Sequence, residues 1–404
     1  MTTTSTIGQQ TGISASSADH LALKVSVVIP CLNEERSIGP CIDAALGAFK
    51  RLAVSGEVIV ADNGSTDGSI DVAQTHGARV VNAQVRGYGS ALRTGIDAAQ
   101  GEFIILADAD GSHDLGEIGL FLEKLDQGYD FVLGSRLQGN IKDTAMLWHH
   151  RHIGTPLLSW LVSLFFGVRI SDINCGMRGF TRGIAQDLDF RTTGFEFASE
   201  SLIKAAKAGA RISEVPITSW PEQRDRPPHL RSFRDGWRHL RLIMLSAPNW
   251  LFLLPGGFLT ALGISIVLWL LPGPAFAGRI GLNINTISLA MMLILVGVHI
   301  FSIGLFVKVF CHTEKLSATQ VGLTRWLRHI KLEHGLLLGA SLFVIGAIGD
   351  GLVFRQWAQQ GFGYLHPVRT VFFCSLSLFL GIEVIFSSVF LSMLGIARDT
   401  YIGE

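Results

Sequence analysis

Residues 86–114 read RGYGSALRTGIDAAQGEFIILADADGSHD. Within this stretch, Ser90–Gln100 has the length of a helix, Glu102–Ala107 is a short apolar run, and Asp108 and Asp110 follow it directly. A short aliphatic run bounded by turn residues predicts a buried β-strand. Because ligands of open α/β sheets bind beyond the carboxyl ends of the strands, the two aspartates mark a candidate ligand site.

The same alternation of strand and helix continues on both sides of this stretch. Further predicted strands are Val25–Pro30, Glu57–Ala61, Ala78–Ala83 and Asp130–Ser135, and further predicted helices are Glu34–Lys50 and Leu115–Gln127. Apolar strands that alternate with helices are typical of a parallel sheet covered on both faces. Polar residues follow three of the strands, in the clusters Asn33–Glu35, Asp62–Asp67 and Asp108–Asp114. We therefore expect an α/β domain in which these clusters meet at one edge of the sheet.

Charge and cysteine content exclude several classes of protein. Lys plus Arg and Asp plus Glu number 33 each, so no excess of positive charge indicates a nucleic-acid partner. The five cysteines show no CxxC spacing, which argues against a zinc site or a disulfide framework. Residues 1–22 are rich in small polar residues and lack an apolar core, which predicts a flexible tail and not a signal peptide.

Apolar residues make up 48% of the chain and concentrate in its C-terminal part. The segments that approach the ~20 apolar residues of a membrane-spanning helix are Trp250–Leu271, Ile287–Val307, Gly335–Phe354 and Thr370–Leu394. The linker Lys308–His334 is basic, so the positive-inside tendency places it and the N-terminal domain in the cytosol, at the plasma or inner membrane or at the endoplasmic reticulum. His299, Asp350 and Glu383 lie inside spans, where ionisable groups either have a function or pair between helices.

An amphipathic helix is predicted just before the first span. Its two sides carry Arg231, Arg234, Arg238 and Arg241, and Phe233, Trp237, Leu240 and Met244. This pattern is typical of a helix that lies in the membrane interface. The apolar segment Gly154–Gly167 is too short to span a bilayer, and we predict a buried helix in preference to a membrane-dipping one. The predicted domains are a tail (1–22), an α/β domain (23–226), an interfacial helix (227–247) and a transmembrane domain of four spans (248–404).

The acidic pair after the central strand predicts a site for a divalent cation. Neighbouring carboxylates are costly unless a positive group binds beside them, and Mg²⁺ prefers one or two carboxylates together with phosphate oxygens. Alone, the Asp-x-Asp pattern of Asp108 and Asp110 is equally compatible with a solvated loop. The acidic turn Asp62–Ser69 and the segment Val28–Glu34 favour the cation site, because both are expected at the same edge of the sheet.

Five motifs together carry a family resemblance. VVIPCLNEE, ADNGSTDGS, the 86–114 stretch, VLGSR and NCGMRGF resemble the motifs of family 2 glycosyltransferases, above all the dolichol-phosphate mannose synthase type of polyprenyl-phosphate glycosyltransferases. The resemblance covers about residues 25–220. It implies a nucleotide-sugar-binding fold of the GT-A type, Mg²⁺ or Mn²⁺ as cofactor, a UDP- or GDP-hexose donor and a polyprenyl phosphate acceptor in the membrane. A homo-oligomer is left open.

The resemblance also implies roles for individual residues. Those implied to bind the donor are Pro30, Asn33, Glu34, Asp62, Gly64, Asp108, Asp110, Glu196, Arg224 and Arg226. Pro30 and Glu34 would line the nucleoside pocket, and Asp62 would contact the base. Asp108 would lie near the ribose and the metal, and Asp110 would bind the metal.

Two further implications concern the metal and the acceptor. The resembling synthases usually carry Gln where this chain has Ser112, so His113 or Asp114 is a candidate substitute among the metal ligands. The residues implied to bind the acceptor phosphate are Arg136, Arg151 and Arg178. A guanidinium group presents a fork that suits phosphate oxygens.

The predicted reaction is an inverting displacement, in which a lipid phosphate oxygen attacks the anomeric carbon and a nucleoside diphosphate leaves, its charge met by the metal and arginines. The residues expected to act in catalysis are Asp108, Asp110 and Arg136. A phosphomonoester, with a second pKa of ~6, is largely ionised near neutrality and needs no strong base. A hydroxyl acceptor, in a glycolipid or polysaccharide, would need a carboxylate in reach.

Two rival functions are weighed against this reaction. Processive polysaccharide synthases carry Gln-x-x-Arg-Trp on an interfacial helix, whereas here Gln320 is wrongly spaced from Arg325 and Trp326, in a loop between later spans. The other rival is a glycolipid carrier whose soluble domain only binds nucleotide. The intact pair Asp108 and Asp110 argues against it.

Overall fold

The computed structural model describes residues 23–223, 232–273, 275–277, 280–313, 332–363 and 368–396. The predicted tail, Arg224, Arg226 and most of the basic linker after residue 313 lie outside the described residues.

The N-terminal domain contains a sheet of seven strands with helices between them. The strands are β1 (Val25–Cys31), β2 (Gly56–Asp62), β3 (Arg79–Asn82), β4 (Phe103–Leu106), β5 (Phe131–Ile141), β6 (Arg178–Thr181) and β7 (Ile212–Ser219). The helices are α1 (Ile38–Leu52), α2 (Ser69–Thr75), α3 (Tyr88–Ala98), α4 (Ile118–Asp126), α5 (Thr155–Phe166), α6 (Arg182–Asp187) and α7 (Phe197–Lys207).

The C-terminal part is helical. Its helices are α8 (Ser232–Leu245), α9 (Leu254–Leu270), α10 (Ile284–Thr313), α11 (Leu332–Gln359) and α12 (Val368–Ile396). A short antiparallel ribbon of β8 (Ala275–Ala277) and β9 (Ile280–Leu282) lies between α9 and α10.

The sheet has the order β3-β2-β1-β4-β6-β5-β7. The predicted parallel arrangement is confirmed for β1 to β4, since β1 pairs in parallel with both β2 and β4, and β2 with β3. Strands β6 and β7 were not predicted. Strand β6 runs antiparallel to β4 and to β5, and β7 pairs in parallel with β5. In β1, Cys31 lies opposite Asp62 and Val28 opposite Leu106, so the three polar clusters that follow these strands share one edge, as expected.

The core lies on both faces of this sheet. The central strands β1 and β4 are almost wholly buried, with Val27, Val28 and Ile29 at 0% exposure. Strands without an exposed face are what a sheet covered on both sides requires, and they explain why their sequences are continuously apolar. The polar side chains of the domain are therefore left to the ends of the strands, where the candidate site lies.

Helix α5 corrects the prediction of a buried helix at Gly154–Gly167. Leu158 and Val162 are buried, but Leu157 is 49% exposed and Trp160 is 58% exposed. Phe165 of the same helix stacks on Trp250 at the start of the first candidate span, with ring centroids 5.5 Å apart. The prediction was wrong because composition alone cannot distinguish a helix in a protein core from one with an apolar face left open.

Four helices are long and apolar enough to cross a membrane, which confirms the four predicted spans: Asn249–Leu270, Ile284–Cys311, Leu332–Gln359 and Val368–Leu394. The ionisable groups inside the spans pair between helices. His299 Nδ1 lies 3.1 Å from Glu383 Oε1, which joins α10 to α12, and Ser375 donates to Asp350 over 3.0 Å.

Glycines set how closely α11 and α12 approach each other. A Cβ atom added at Gly346 would lie 2.5 Å from the carbonyl oxygen of Cys374, and one added at Gly339 would lie 2.9 Å from that of Gly381. Small residues at such positions let helix backbones pack closely in membranes.

We expect Gly346→Leu to lower the thermal unfolding midpoint in detergent by several degrees, since overpacking typically costs roughly 1–3 kcal/mol. Gly351→Leu is the matched control, because a Cβ atom at Gly351 on the same helix meets nothing within 4 Å. Equal midpoints for the two variants, measured by scanning fluorimetry, would contradict the close packing of α11 on α12.

Candidate active site

A cavity of about 490 Å³ opens at the carboxyl edge of the sheet. Of the predicted site residues, those that line it are Pro30, Glu34, Asp108, Asp110 and Arg136. Those that do not line it are Asn33, Asp62, Gly64, Arg151, Arg178 and Glu196. The structure thus brings together the core of the predicted site and assigns the remaining residues other positions.

Asn33 and Asp62 hold together the loops that carry lining residues of the cavity. The Asp62 carboxylate accepts hydrogen bonds from the backbone N–H groups of Gly64 (2.9 Å) and Ser65 (3.1 Å). Asn33 Oδ1 accepts from the N–H of Thr66 over 2.7 Å. Gly64 has φ +95°, a conformation that favours glycine. These bonds tie the loop after β2 to the loop after β1 and so fix the edge that holds Pro30 and Glu34.

The Asp108 carboxylate is held by Tyr88 and lies near His113. Tyr88 donates its hydroxyl to Oδ1 over 2.7 Å, and His113 Nδ1 lies 3.4 Å from Oδ2. A Cβ atom at Gly176 would lie only 2.1 Å from Oδ2, so this approach requires glycine. Burial, followed by the Asp108 charge, raises the pKa of Tyr88 well above its usual value and keeps the phenol a donor. Asp108 is therefore a rigid acceptor at the cavity wall.

Asp110 is the other carboxylate of the pair, and it also lines the cavity. Its Oδ1 accepts from the N–H of Ser112 over 2.9 Å. Two residues were candidates for the metal ligand that the resembling synthases have as Gln at the position of Ser112. One of them, Asp114, instead caps a short 3₁₀ turn, because its Oδ1 accepts from the N–H of Gly116. His113 lies against Asp108.

Among the described residues, no three His, Cys, Asp or Glu side chains converge as a metal cage. The pair Asp108 and Asp110 fits a different kind of site, in which a hard cation takes one or two carboxylates and completes its shell with phosphate oxygens and water. A Mg²⁺ or Mn²⁺ ion that arrives with a diphosphate matches this donor set.

Arg136 is fixed by a buried partner that the sequence did not reveal. Arg136 lies in β5 where the pairing with β7 shifts register. Its Nε and Nη2 donate to the carboxylate of the fully buried Asp172 over 2.7 and 2.9 Å. The N–H of Asp172 in turn bonds to Glu214 over 3.3 Å. Burial lowers the pKa of Arg136, but the Asp172 charge outweighs it and the net shift is upward, so the guanidinium stays charged. The result is a positioned cation in the cavity wall.

Arg178 is a correction. It was predicted on the acceptor side, but it lies in the core at 1% exposure. Its guanidinium donates to four oxygens, namely the carbonyls of Ala198, Ile173 and Cys175 and the hydroxyl of Ser201. A motif places a residue near a site but does not say which way its side chain points, and here β6 directs Arg178 beneath the cavity.

Two other predicted residues lie at the margin. Arg151 is exposed in the turn before α5, whereas its neighbour His150 lines the cavity. Glu196 directly precedes α7, and its carboxylate lies 4.0 Å from Arg238 on α8. Arg224 and Arg226 cannot be placed, since they lie outside the described residues.

Helix α8 forms one wall of the cavity. Ser232, Asp235, Gly236 and His239 line it, while on the outer side of the same helix Phe233 is 91% exposed and Trp237 is 60% exposed. The sequence indicated the amphipathic helix but not its polar inner face, because that face shows only in contacts with residues distant in the chain.

We expect Arg178→Leu to destabilise the protein by at least about 3 kcal/mol, because it leaves buried oxygens without donors. The matched control is Arg182→Leu, a few residues along, where the exposed side chain makes one bond to the carbonyl of Gln100. Urea unfolding of the two variants measures the difference. A similar small loss for both would contradict the assignment of Arg178 to the core.

Comparisons with known proteins agree with this architecture. The profile of Glycosyl transferase family 2 matches residues 26–189, and that of the Glycosyltransferase family 2 C-terminal transmembrane region matches residues 305–395. The low-salt glycan biosynthesis hexosyltransferase Agl6 of Haloferax volcanii is 34% identical over 382 residues, which are 94% of this chain and 91% of that protein. The dolichyl-phosphate hexose transferase of the same organism is 28% identical over 48% of this chain and 81% of that protein.

Among solved structures, glucosyl-3-phosphoglycerate synthase from Mycobacterium tuberculosis with Mn²⁺, UDP and phosphoglyceric acid has a TM-score of 0.44 and 22% identity, over 55% of this chain and 77% of that chain. That likeness is too low to carry an argument about the site. The similarity to the first relative extends through the α/β domain and the spans alike, and the chain belongs to glycosyl transferase family 2, as a glycosyltransferase with a C-terminal transmembrane region.

Proposed function

We propose that this glycosyltransferase moves a hexose from a UDP- or GDP-hexose to a polyprenyl phosphate, with inversion at the anomeric carbon. The observation that carries the proposal is the double role of α8. One face of this helix lines the cavity with Asp235 and His239, and the other exposes Phe233 and Trp237 just before the first span. Because the cavity wall is also the approach to the membrane, a lipid headgroup is the natural acceptor. The names of the two Haloferax relatives support a hexosyl group and a lipid phosphate.

On the donor side, Pro30 and Glu34 would hold the nucleoside, framed by the loops that Asn33 and Asp62 lock together. Asp108, clamped by Tyr88, would accept from the ribose. Asp110 would hold Mg²⁺ or Mn²⁺, which when bound neutralises charge on the diphosphate. Gly64, Glu196, Arg224 and Arg226 remain proposed donor-side residues.

On the acceptor side, Arg136 would hold the lipid phosphate, with Arg151 at the cavity margin as a second proposed ligand. One phosphate oxygen forms the new bond to the anomeric carbon while the bond from that carbon to the diphosphate oxygen breaks. The acceptor is already ionised near neutral pH, so no proton has to be removed. Positioning by a guanidinium that Asp172 fixes is what this chemistry needs.

The proposed orientation places the α/β domain in the cytosol, with α8 and the exposed face of α5 against the membrane surface. Arg234 and Arg238 on α8 are about half exposed, with side-chain exposures of 54% and 49%. Partly exposed arginines beside exposed aromatic rings suit anionic headgroups. The proposed domain limits are the predicted ones.

Purified protein in detergent, given polyprenyl phosphate, Mg²⁺ or Mn²⁺ and a panel of radiolabelled nucleotide hexoses, should transfer label to an organic-extractable, acid-labile lipid. Asp110→Asn should reduce transfer by about a hundredfold or more, because it removes a charge that would hold the metal. Asp97→Asn, an exposed aspartate on α3, is the control and should retain activity. Label in the lipid that survives Asp110→Asn would contradict the role of Asp110.

Asp172→Asn should raise the KM for polyprenyl phosphate by roughly 10–100-fold, the equivalent of a charged hydrogen bond worth about 1.5–3 kcal/mol. The affinity for the bare nucleoside diphosphate, measured by calorimetry, should not change. Glu57→Gln is a control, since Glu57 Oε2 accepts from Nε and Nη2 of Arg79 at 3.1 and 2.7 Å, near the start of β2 and away from the cavity. An unchanged lipid KM in a folded Asp172→Asn protein would argue against Arg136 as the phosphate ligand.

A further inference from the structure

His239 presents one ring nitrogen to the cavity and uses the other as an anchor. The residue is 5% exposed, and its Nδ1 lies 2.7 Å from the hydroxyl oxygen of Ser199 on α7. Within the part of the chain that the structure describes, Nε2 makes no hydrogen bond, although His239 lines the cavity. A polar atom of the cavity wall that has no protein partner is available to hydrogen-bond a ligand.

The proton of His239 can be placed from its neighbour. Ser199 is fully buried, and the one hydrogen bond that its hydroxyl makes among the described residues is to His239. The serine hydroxyl therefore donates to Nδ1, because otherwise its hydrogen would be buried without an acceptor. Burial, followed by the charge of Arg178, lowers the pKa of His239 to about 4, so the ring is neutral at physiological pH. A neutral ring that accepts at Nδ1 carries its hydrogen on Nε2, which points a neutral donor into the cavity.

Two neighbours complete this part of the cavity wall. Asp235 is one helical turn before His239 on the same face of α8, and it is 1% exposed. Phe195 lines the cavity, and its ring is held by stacking on Tyr88 with centroids 4.9 Å apart. The wall therefore combines a neutral donor, a carboxylate and an aromatic face.

Charge decides what this wall can bind. The Asp235 carboxylate lies 3.3 and 3.9 Å from Arg234 and Arg238, so its charge is compensated, and the His239 ring is neutral. Asp235 and His239 therefore present hydrogen-bonding groups and no uncompensated charge, whereas the charged guanidinium of Arg136 suits a phosphate. Hydroxyl groups suit a donor and an acceptor side by side, and the C–H face of a sugar ring suits an aromatic face.

We propose that Asp235 and His239 bind hydroxyl groups of the transferred hexose while the Phe195 ring packs against its C–H face, and that His239 Nε2–H helps to select which hexose is used. This inference rests on the proposed function and adds the place where the sugar is recognised. A site built to hydrogen-bond a substrate hydroxyl discriminates strongly against a substrate that places it elsewhere, because the buried polar group is then left unpaired.

Three variants separate the cavity-facing nitrogen from the anchoring one. His239→Asn keeps an oxygen near the Nδ1 position for Ser199 but has nothing at Nε2. His239→Gln reaches the Nε2 position, and Ser199→Ala removes the anchor while leaving the imidazole. The measurement is kcat/KM for UDP-glucose against UDP-galactose and for GDP-mannose against GDP-glucose, with the KM for polyprenyl phosphate and the affinity for UDP or GDP alone as internal controls.

His239→Asn should lower kcat/KM for the preferred hexose by about tenfold or more and compress the ratio between epimers by a similar factor. His239→Gln should recover part of that ratio, and nucleotide affinity and lipid KM should stay unchanged. A ratio that His239→Asn leaves intact, or that Ser199→Ala compresses equally, would overturn the inference and leave His239 as a packing residue.

Failure of the proposed function can be told apart from failure of this inference. If the wild-type protein transfers no hexose, the proposed function fails, and calorimetry still tests the sugar site. Wild-type protein should then bind a nucleotide hexose more tightly than the matching nucleoside diphosphate, and His239→Asn should remove the difference. An equal difference in both proteins would overturn the inference.

Discussion

The guanidinium of Arg178 is the buried constraint on which the cavity depends. It is a cation in the core, and its donors bind carbonyls from the loop before β6 and from α7, so these segments must meet beneath the cavity. The loop also carries Gly176, which gives Asp108 its place, and α7 carries Ser199, which anchors His239. Because the buried guanidinium of Arg178 cannot be solvated by water, losing its hydrogen bonds would cost free energy. The segments that provide these bonds therefore form a rigid floor of the site.

The second organising feature is helix α8, which lines the cavity with one face and exposes aromatic residues, proposed to meet the membrane, on the other. Asp235, His239 and Ile243 recur every fourth residue on the buried face of α8, and large aromatic residues occupy its outer face. With the exposed face of α5 and the stacking of Phe165 on Trp250, the α/β domain approaches the spans through apolar surface. The proposed reaction uses this arrangement, because a water-soluble donor and a lipid acceptor must meet in one cavity.

Local sequence predicted the main strands, the shared polar edge and the four spans, since each depends on composition and period within a few residues. It did not predict β6 or β7. Strand β6 has only four residues and is formed by pairing with β4 and β5, and β7 pairs with β5. Nor could it give the partners of the site residues, because Asp172 is 36 positions from Arg136 and Tyr88 is 20 positions from Asp108. The direction of Arg178 and the open face of α5 were missed for the same reason: both are settled by tertiary contacts.

The central claim is that the acceptor is a lipid phosphate held by Arg136. The most direct measurement offers the purified protein polyprenyl phosphate and the corresponding polyprenol with the same nucleotide hexose, and determines the anomeric configuration of the product by NMR. The account predicts transfer to the phosphate alone, with inversion of the donor configuration. Transfer to the polyprenol, or a product that retains the donor configuration, would contradict it.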